Sequence, residues 1–480
     1  MSFLEAVYKD FKTNMIVMKF GGTSVEDATA LERVAGIVRD RLPQKPVVVV
    51  SALARVTDKL QTMARAATGD DLDSALSLAG SLRDRHQRVA TELLPPVAYE
   101  QLRPVLTEKF DVLDNLLRGI AAVGELSPRT TDYVLSFGEV LSSIITSACF
   151  AARGINAVLV DARECIVTDS QHTRAVPNFE QTNAKLAARL QPILDAAGVP
   201  VMAGFLGATN DGITTTIGRG GSDFSAAIVG AALNATRIEI WTDVDGMKTT
   251  DPNLCPDARR LAEVSFDEAA ELAFFGAKVL HPATVLPAMQ KNIPVYVLNS
   301  RNPRSQGTCV RAHARPSRTT IKAIAAKKNM TIVNVRTARM LMTYGFLHDV
   351  FQVFKRHQVA ADTVSTSEVS VSLTVDSKVD IRNVVADLRK FTDVETEPGK
   401  AIVCVVGENL RGTPGTLALV SSALGDINIR MVSQGASEIN ISFVIEEKDV
   451  PEAVRRLHRL IVVSTGENSP KTRGAGANEA

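Results

Sequence analysis

The stretch Ile16-Val17-Met18-Lys19-Phe20-Gly21-Gly22-Thr23-Ser24-Val25 decides the fold. A short apolar run without alternation enters a Gly-Gly turn, and a helix is expected near Asp27. A buried strand that ends in glycines and opens a helix is the first unit of a parallel sheet. The two glycines let the backbone approach phosphate oxygens, and the helix start offers free N–H groups and the positive end of its dipole. Lys19 would stand at the C-terminal end of the strand, where open α/β sheets bind ligands. A tight turn with a solvent lysine explains the same residues, so the stretch needs company.

Company comes on both sides. From Ile16 to Leu298, strand-like and helix-like segments alternate, with Ile16–Phe20, Val47–Ser51, Ala157–Val160 and Arg237–Thr242 reading as strands. Leu113, Leu116, Leu117 and Ile120 recur at helical spacing, and residues 70–117 read as a charged helical elaboration on the sheet. Thr214-Thr215-Thr216-Ile217-Gly218-Arg219-Gly220-Gly221-Ser222-Asp223 is a second glycine-rich turn opening a helix. Arginine binds a carboxylate bidentately, and an acid beside phosphates can hold Mg²⁺ or orient a lysine. Capping by Ser222 and a dipole role for Asp223 would leave the three glycines and the arginine unexplained.

Neither turn is GxxxxGK[ST], which disfavours the Walker fold, and HRD with DFG is missing, which disfavours a protein kinase. Ser136-Phe137-Gly138-Glu139 places an acid suited to an ammonium group. Trp241-Thr242-Asp243-Val244-Asp245-Gly246 ends a strand in an acidic turn, and Gly276-Ala277-Lys278-Val279-Leu280-His281-Pro282 adds a lysine. Taken singly, each has a plainer role as surface acid, turn or packing residue.

Composition narrows the classes. The 54 basic and 53 acidic residues balance, which argues against nucleic acid or a membrane surface as partner. No run of about 18 apolar residues is evident, so no membrane span is expected. Met1–Asn14 carries Glu5 and Asp10 without an apolar core, unlike a secretory signal. Five cysteines without a CxxC pair suit reduced thiols in the cytoplasm. Arg301–Lys328 holds eight basic residues, no acid and no interleaved aromatic, and reads as a linker between domains.

Beyond it lies an internal repeat. Gly345 aligns with Gly415; Leu347, Val350, Phe354 and Val359 then meet Leu417, Val420, Leu424 and Ile429 without a gap. Ser367-Glu368 meets Ser437-Glu438, and Val369, Val371, Leu373 and Val375 meet Ile439, Ile441, Phe443 and Ile445. The last four alternate, so each copy ends in a half-buried strand, and each reads as strand, glycine turn, helix, strand, strand. Small ferredoxin-like modules are expected. The polar tail Glu467–Ala480 reads as disordered.

KFGGTSV, TTTIGRGGSD, TDVDG and FFGAKVLHP, in this order and spacing, resemble the monofunctional aspartate kinases of the amino-acid-kinase superfamily, from Val17 to about Val463. The repeat is similar to their tandem ACT domains, and Tyr344–Leu347 with Ser365–Ser370 resembles the lysine-sensitive class. The resemblance implies a three-layer αβα amino-acid-kinase fold with a mainly parallel sheet, over 15–310, followed by βαββαβ ACT domains. It implies a first ACT domain at 325–400, completed by 446–465, and a second at 401–445, with 466–480 as tail.

The resemblance further implies ATP with Mg²⁺ and L-aspartate as reactants. Lys19 and Asp223 would be catalytic, Lys19 neutralising the transferring phosphoryl group and Asp223 orienting Lys19 or helping place Mg²⁺. Gly21, Gly22, Ser51, Thr242, Asp243, Gly246, Lys248 and Lys278 would line the ATP site. Arg219 would clamp the α-carboxylate of aspartate, Glu139 would receive its ammonium, and Thr57, Gly220, Gly221 and Ser222 would complete the acceptor site. No general base is needed, because a carboxylate is ionised at neutral pH. Lys248 stands where the family has an aromatic and Asn253 where it has an arginine, departures that bear on nucleotide contacts.

L-Lysine is the expected effector. Its site would comprise Met340, Thr343, Gly345, Phe346, Leu347, Asp362, Thr366, Ser367 and Glu368, with Asp362 taking its ammonium. A homodimer through the ACT domains, with tetramer as the larger option, is also implied. Other kinases of the superfamily and a catalytically inactive amino-acid sensor are the competing readings; intact Lys19, Glu139, Arg219 and Asp223 speak against the second.

Overall fold

The computed structural model describes residues 14–69, 71–276, 280, 282–315, 320–336 and 344–464. These fall into two compact units. The first runs to Met247 and adds Ala262–Phe266 and the described residues up to Ala314; the second takes Lys248–Leu261, Asp267 through Gly276 and the rest of the chain.

The first unit holds strands β1 (Ile16–Phe20), β2 (Pro46–Val50), β3 (Ala157–Val160), β4 (Val199–Ala203), β5 (Leu206–Ala208), β6 (Thr214–Thr216), β7 (Arg237–Thr242), β8 (Glu263–Ser265), β9 (Val295–Asn299) and β10 (Thr308–Arg311). Eight form one sheet in the order β3-β4-β2-β1-β7-β9-β10-β8, in which every pair except β9–β10 is parallel. The antiparallel pair β5–β6 stands apart. β1, β2 and β4 are fully buried and, Lys19 apart, apolar, as central parallel strands require. β3 differs: it is the edge strand, and Leu159 is exposed.

Pleat alternation sorts β1. Ile16, Met18 and Phe20 join an apolar cluster with Leu31, Leu60, Phe110 and Phe150 from the helices Ala28–Arg39, Val56–Thr68, Pro96–Val123 and Pro128–Ala152. Lys19 therefore faces away from that cluster. Residues 70–117 are helical as expected, within Leu72–Leu93 and Pro96–Val123. Pro128–Ala152 has the length and composition to cross a membrane, although it holds no unbroken apolar run of that length. Its most apolar window is 72% buried among protein, as befits a core helix.

Arg301–Lys328 passes from the first unit to the second, as expected, but it is not an unstructured linker. Its middle forms β10, and Ile321 opens β11 (Ile321–Arg336), a long strand of the second unit. The basic side chains misled because Lys322 is buried in an ion pair with Glu268 Oε1, at 2.6 Å.

The second unit adds β12 (Val364–Thr366), β13 (Ser370–Asp376), β14 (Asp393–Gly407), β15 (Met431–Ser433) and β16 (Asn440–Glu446), in the sheet order β12-β13-β11-β14-β16-β15. The repeat is structural. Gly345 and Gly415 cap the helices Phe346–Arg356 and Thr416–Leu424 at φ 85° and 82°. Val350 and Val420 are buried at equivalent places, as are Leu373 and Phe443.

Two apolar cores result. One gathers Val333, Val335, Val350, Phe354, Leu373, Val384 and Leu388; the other gathers Ile321, Ile324, Val403, Val405, Val420, Phe443, Val454 and Leu457. The helix Val450–Ser464 thus packs with the second copy and not the first, which corrects the expectation for 446–465. The start of β11 pairs with the end of β14, so the second copy receives its fourth strand from a segment preceding the first copy. The first copy is inserted within the second.

Candidate active site

The C-terminal ends of β1, β2 and β7 converge on the first glycine turn. Gly21 N–H donates to Trp241 O, Ser51 N–H to Phe20 O and Ala54 N–H to Gly22 O, at 3.0, 3.0 and 3.1 Å. Ser24 Oγ lies 2.8 Å from Ser300 Oγ, which in turn reaches Thr242 O. A side-chain carbon on Gly21 would come 3.4 Å from Trp241 O and 3.6 Å from Lys19 Nζ. The glycine keeps open the space beside the ammonium, which suits a phosphate cradle. The helix after the turn starts at Ala28, with Asp27 accepting from Ala30 N–H at 2.7 Å.

Lys19 is 9% exposed, and its Nζ lies 2.6 Å from Asp223 Oδ1. Asp223 occupies the first turn of Gly221–Ala232, whose N-cap Gly220 has φ 73°. The second glycine turn is thereby tied to the first. Gly204 at the end of β4 approaches Ser222 so closely that a side-chain carbon would sit 2.8 Å from Ser222 Cα, and Gly221 packs likewise on Phe205. These two glycines serve backbone packing. Arg219, between Gly218 and Gly220, is exposed and forms no ion pair among the described residues.

Glu139 sits in Pro128–Ala152 and is 4% exposed. Burial pushes its carboxyl up to about 8, against the lowering influence of the Ala52 backbone, its own N–H and the Lys19 charge. Its Oε2 has no hydrogen-bond partner among the described residues. A buried carboxylate with an open acceptor is costly unless a cation arrives to satisfy it. Thr57, half-buried, lies in the first turn of Val56–Thr68.

Thr242 ends β7 and donates to Asp243 Oδ1 at 3.2 Å; Asp243 is exposed. Gly246, at φ 113°, packs its backbone against Thr308, whose Oγ1 accepts from Met247 N–H. Its need for glycine is structural. Lys248 belongs to the second unit, paired with Arg260, and Asn253 donates to Asp251 Oδ1 at 2.9 and 3.0 Å. Lys278 and His281 lie outside the described residues.

Several supporting residues gave no signal in the sequence. Arg85 donates to Ala54 O at 2.8 Å and Glu26 O at 2.9 Å, joining the loops after β2 and β1. Arg174 is exposed, and its Cγ would lie 3.7 Å from a side-chain carbon on Gly218. An isolated arginine in a polar loop carries no pattern to read.

The expected effector residues are dispersed in character. Gly345 caps its helix and Leu347 is exposed, but Phe346 is buried in the first-copy core, edge-on to Phe391. Asp362 already pairs with Lys327. Thr366, Ser367 and Glu368 are exposed, with Ser367 Oγ 2.7 Å from Ser370 Oγ. Met340 and Thr343 lie outside the described residues.

Residues 14–299 match the amino acid kinase family, and residues 403–460 match an ACT domain. The lysine-sensitive aspartokinase 3 of Escherichia coli is 36% identical over 458 residues, covering 93% of this chain and 99% of that protein. The chain is an aspartokinase of the amino acid kinase family. The crystal structure of E. coli aspartokinase III with aspartate and ADP, in the R-state, superposes on this aspartokinase with a TM-score of 0.80 and 34% identity. It covers 93% of this chain and 100% of the other. The T-state complex of the same enzyme with lysine and aspartate gives 0.79 and 35%, covering 93% and 99%.

Proposed function

We propose that this aspartokinase moves the γ-phosphoryl group of ATP onto the side-chain carboxylate of L-aspartate between its two glycine turns. The observation that carries the reading is the Lys19–Asp223 pair beside the buried, open Glu139 carboxylate. Lys19, kept in place by Asp223, neutralises charge on the transferring phosphoryl group; Gly21, Gly22 and Ser51 cradle phosphate through backbone and hydroxyl donors. Glu139 takes the substrate ammonium and Arg219 its α-carboxylate, with Arg174 beside the same turn as a second cation. Thr57 and Ser222 flank the acceptor, while Thr242 and Asp243 line the nucleotide side. Positioning and charge neutralisation do the work.

Mg²⁺ accompanies the triphosphate in this reading. Among the described residues no three His, Cys, Asp or Glu side chains cluster as a metal cage. An ion carried by phosphate oxygens and water fits such a lining, and Asp223 or Asp243 would help hold it.

The ACT modules would sense L-lysine and pair two chains into a dimer, in the cytoplasm. We assign the kinase domain to 15–310 apart from 248–261 and 267–276, one ACT module to 330–399 and the other to 321–329 joined with 400–464, following the two units and the two cores. A coupled assay tests the reading. ADP should form on adding aspartate, not glutamate, N-acetylglutamate or carbamate, and lysine should suppress it where threonine does not. Turnover with another acceptor would overturn the substrate, and indifference to lysine would overturn the effector.

A further inference from the structure

Asp132 is a fully buried carboxylate that phosphoryl transfer does not use. It lies in the helix that carries Glu139, seven residues and so about two turns earlier, on the same face. Its oxygens accept from His172 Nδ1 at 2.7 Å, from Thr173 N–H at 3.0 and 3.1 Å, and from Thr216 Oγ1 at 2.5 Å. Three donors from two further segments converge on one acid.

Both segments lead to the acceptor turn. Thr216 ends β6, two residues before Gly218. Thr173 sits at φ 70°, a conformation that a β-branched residue keeps only where its surroundings enforce it. Its carbonyl and the Arg174 stem stand against Gly218, within 3.5 and 3.7 Å of where a side-chain carbon there would lie. Arg174 packs its stem toward that glycine and Arg219 follows it in the chain, and both are exposed.

We infer that Asp132 is a positioning residue for the acceptor: it holds the strained Thr173 turn and the end of β6 together, so that Arg174 and Arg219 flank a dicarboxylate substrate. The inference rests on the reading of Gly218–Asp223 as the acceptor side. A carboxylate serving stability alone would lower only the apparent kcat, through the amount of folded enzyme, and leave both Michaelis constants unchanged. Positioning moves the Michaelis constant for the acceptor.

Steady-state kinetics of the full-length enzyme decide between them. Asp132→Asn turns an amide N–H toward donors that need an acceptor. It should raise KM for aspartate about tenfold or more, with kcat and KM for ATP within about twofold. Adding Thr173→Gly, which relieves the positive φ, should return most of that loss. If Asp132→Asn accumulates poorly, His172→Ala, at a side chain 15% exposed, must show the same selective rise. An unchanged KM for aspartate in the folded variant, whatever the apparent kcat does, overturns the inference. Absence of aspartate-dependent turnover in the wild type would instead remove the acceptor reading beneath it.

Discussion

Lys19 Nζ stands 2.6 Å from Asp223 Oδ1, so the end of the central strand and the start of the Gly221–Ala232 helix meet in one ion pair. The contact lacks the alignment of a hydrogen bond, and Oδ1 has no other donor among the described residues. Lys19 is thus held near its place without being saturated. Replacing it with alanine should lower kcat by about 10³-fold or more, since positioned charge is the main catalytic device. A circular-dichroism melt should still be cooperative. Residual turnover within tenfold of wild type would remove Lys19 from the chemistry.

Glu139 gives a pH signature. Its folded value, about 8, lies above the ordinary carboxylate range, so between about 4.5 and 8 the folded protein binds a proton that the unfolded chain does not. Its contribution is fully present below the unfolded value and is lost as pH rises through the folded one. Stability of the ligand-free protein should therefore fall across that window, and Glu139→Gln should flatten the slope. Substrate ammonium requires the ionised acid, so binding aspartate near pH 7 should release protons, visible as buffer-dependent calorimetric heat. Buffer-independent heat would show that Glu139 does not change state.

Two glycines separate conformation from crowding. Gly415 has φ 82° with nothing within 4 Å of a prospective side-chain carbon, so Gly415→Ala should cost only about 1 kcal/mol in a denaturant titration. Gly246 combines φ 113° with Thr308, whose N would lie 2.8 Å from that carbon. Gly246→Ala should cost at least about twice as much. Equal losses would mean that the Thr308 contact yields freely.

Asp362 pairs with Lys327. If it receives the ammonium of lysine, Asp362→Ala should raise the inhibitory lysine concentration about tenfold or more, whereas Lys327→Met should retain inhibition. Should both variants lose inhibition alike, the acid acts through Lys327 and not on the effector.

What could be read in the sequence was what repeats or what is local. The gapless Gly345/Gly415 register announced two modules because the same turn, helix and strand must bury the same faces twice. The two glycine turns announced themselves because a backbone that bends sharply or packs closely between strand and helix needs glycine there. Long-range partnership was not legible. Nothing near Val450 says that its helix belongs with Val403 and Phe443, and nothing in Ile321–Ala326 marks it as a borrowed strand. Basic composition hid β10 and β11, because Lys322 carries its partner Glu268 from a segment 54 positions away. Asp132 and Arg85 escaped for the same reason: their meaning lies in distant carbonyls, amides and hydroxyls.

Lys248–Leu261 has a consequence for how such a protein can be divided. Cys255 lies in the core of the later ACT module, and the carbonyl of Thr249 accepts from Ile324 N–H. His458 of the last helix closes over this segment, Nε2 2.8 Å from Thr249 Oγ1. A single cut after Ala314 would leave the upstream fragment carrying Leu254 and Cys255 bare, and the downstream fragment with a hole where they belong. Kinase and sensor are braided along the polypeptide, so neither half can be released intact by one scission, and fragments of this enzyme should clump unless they are produced together.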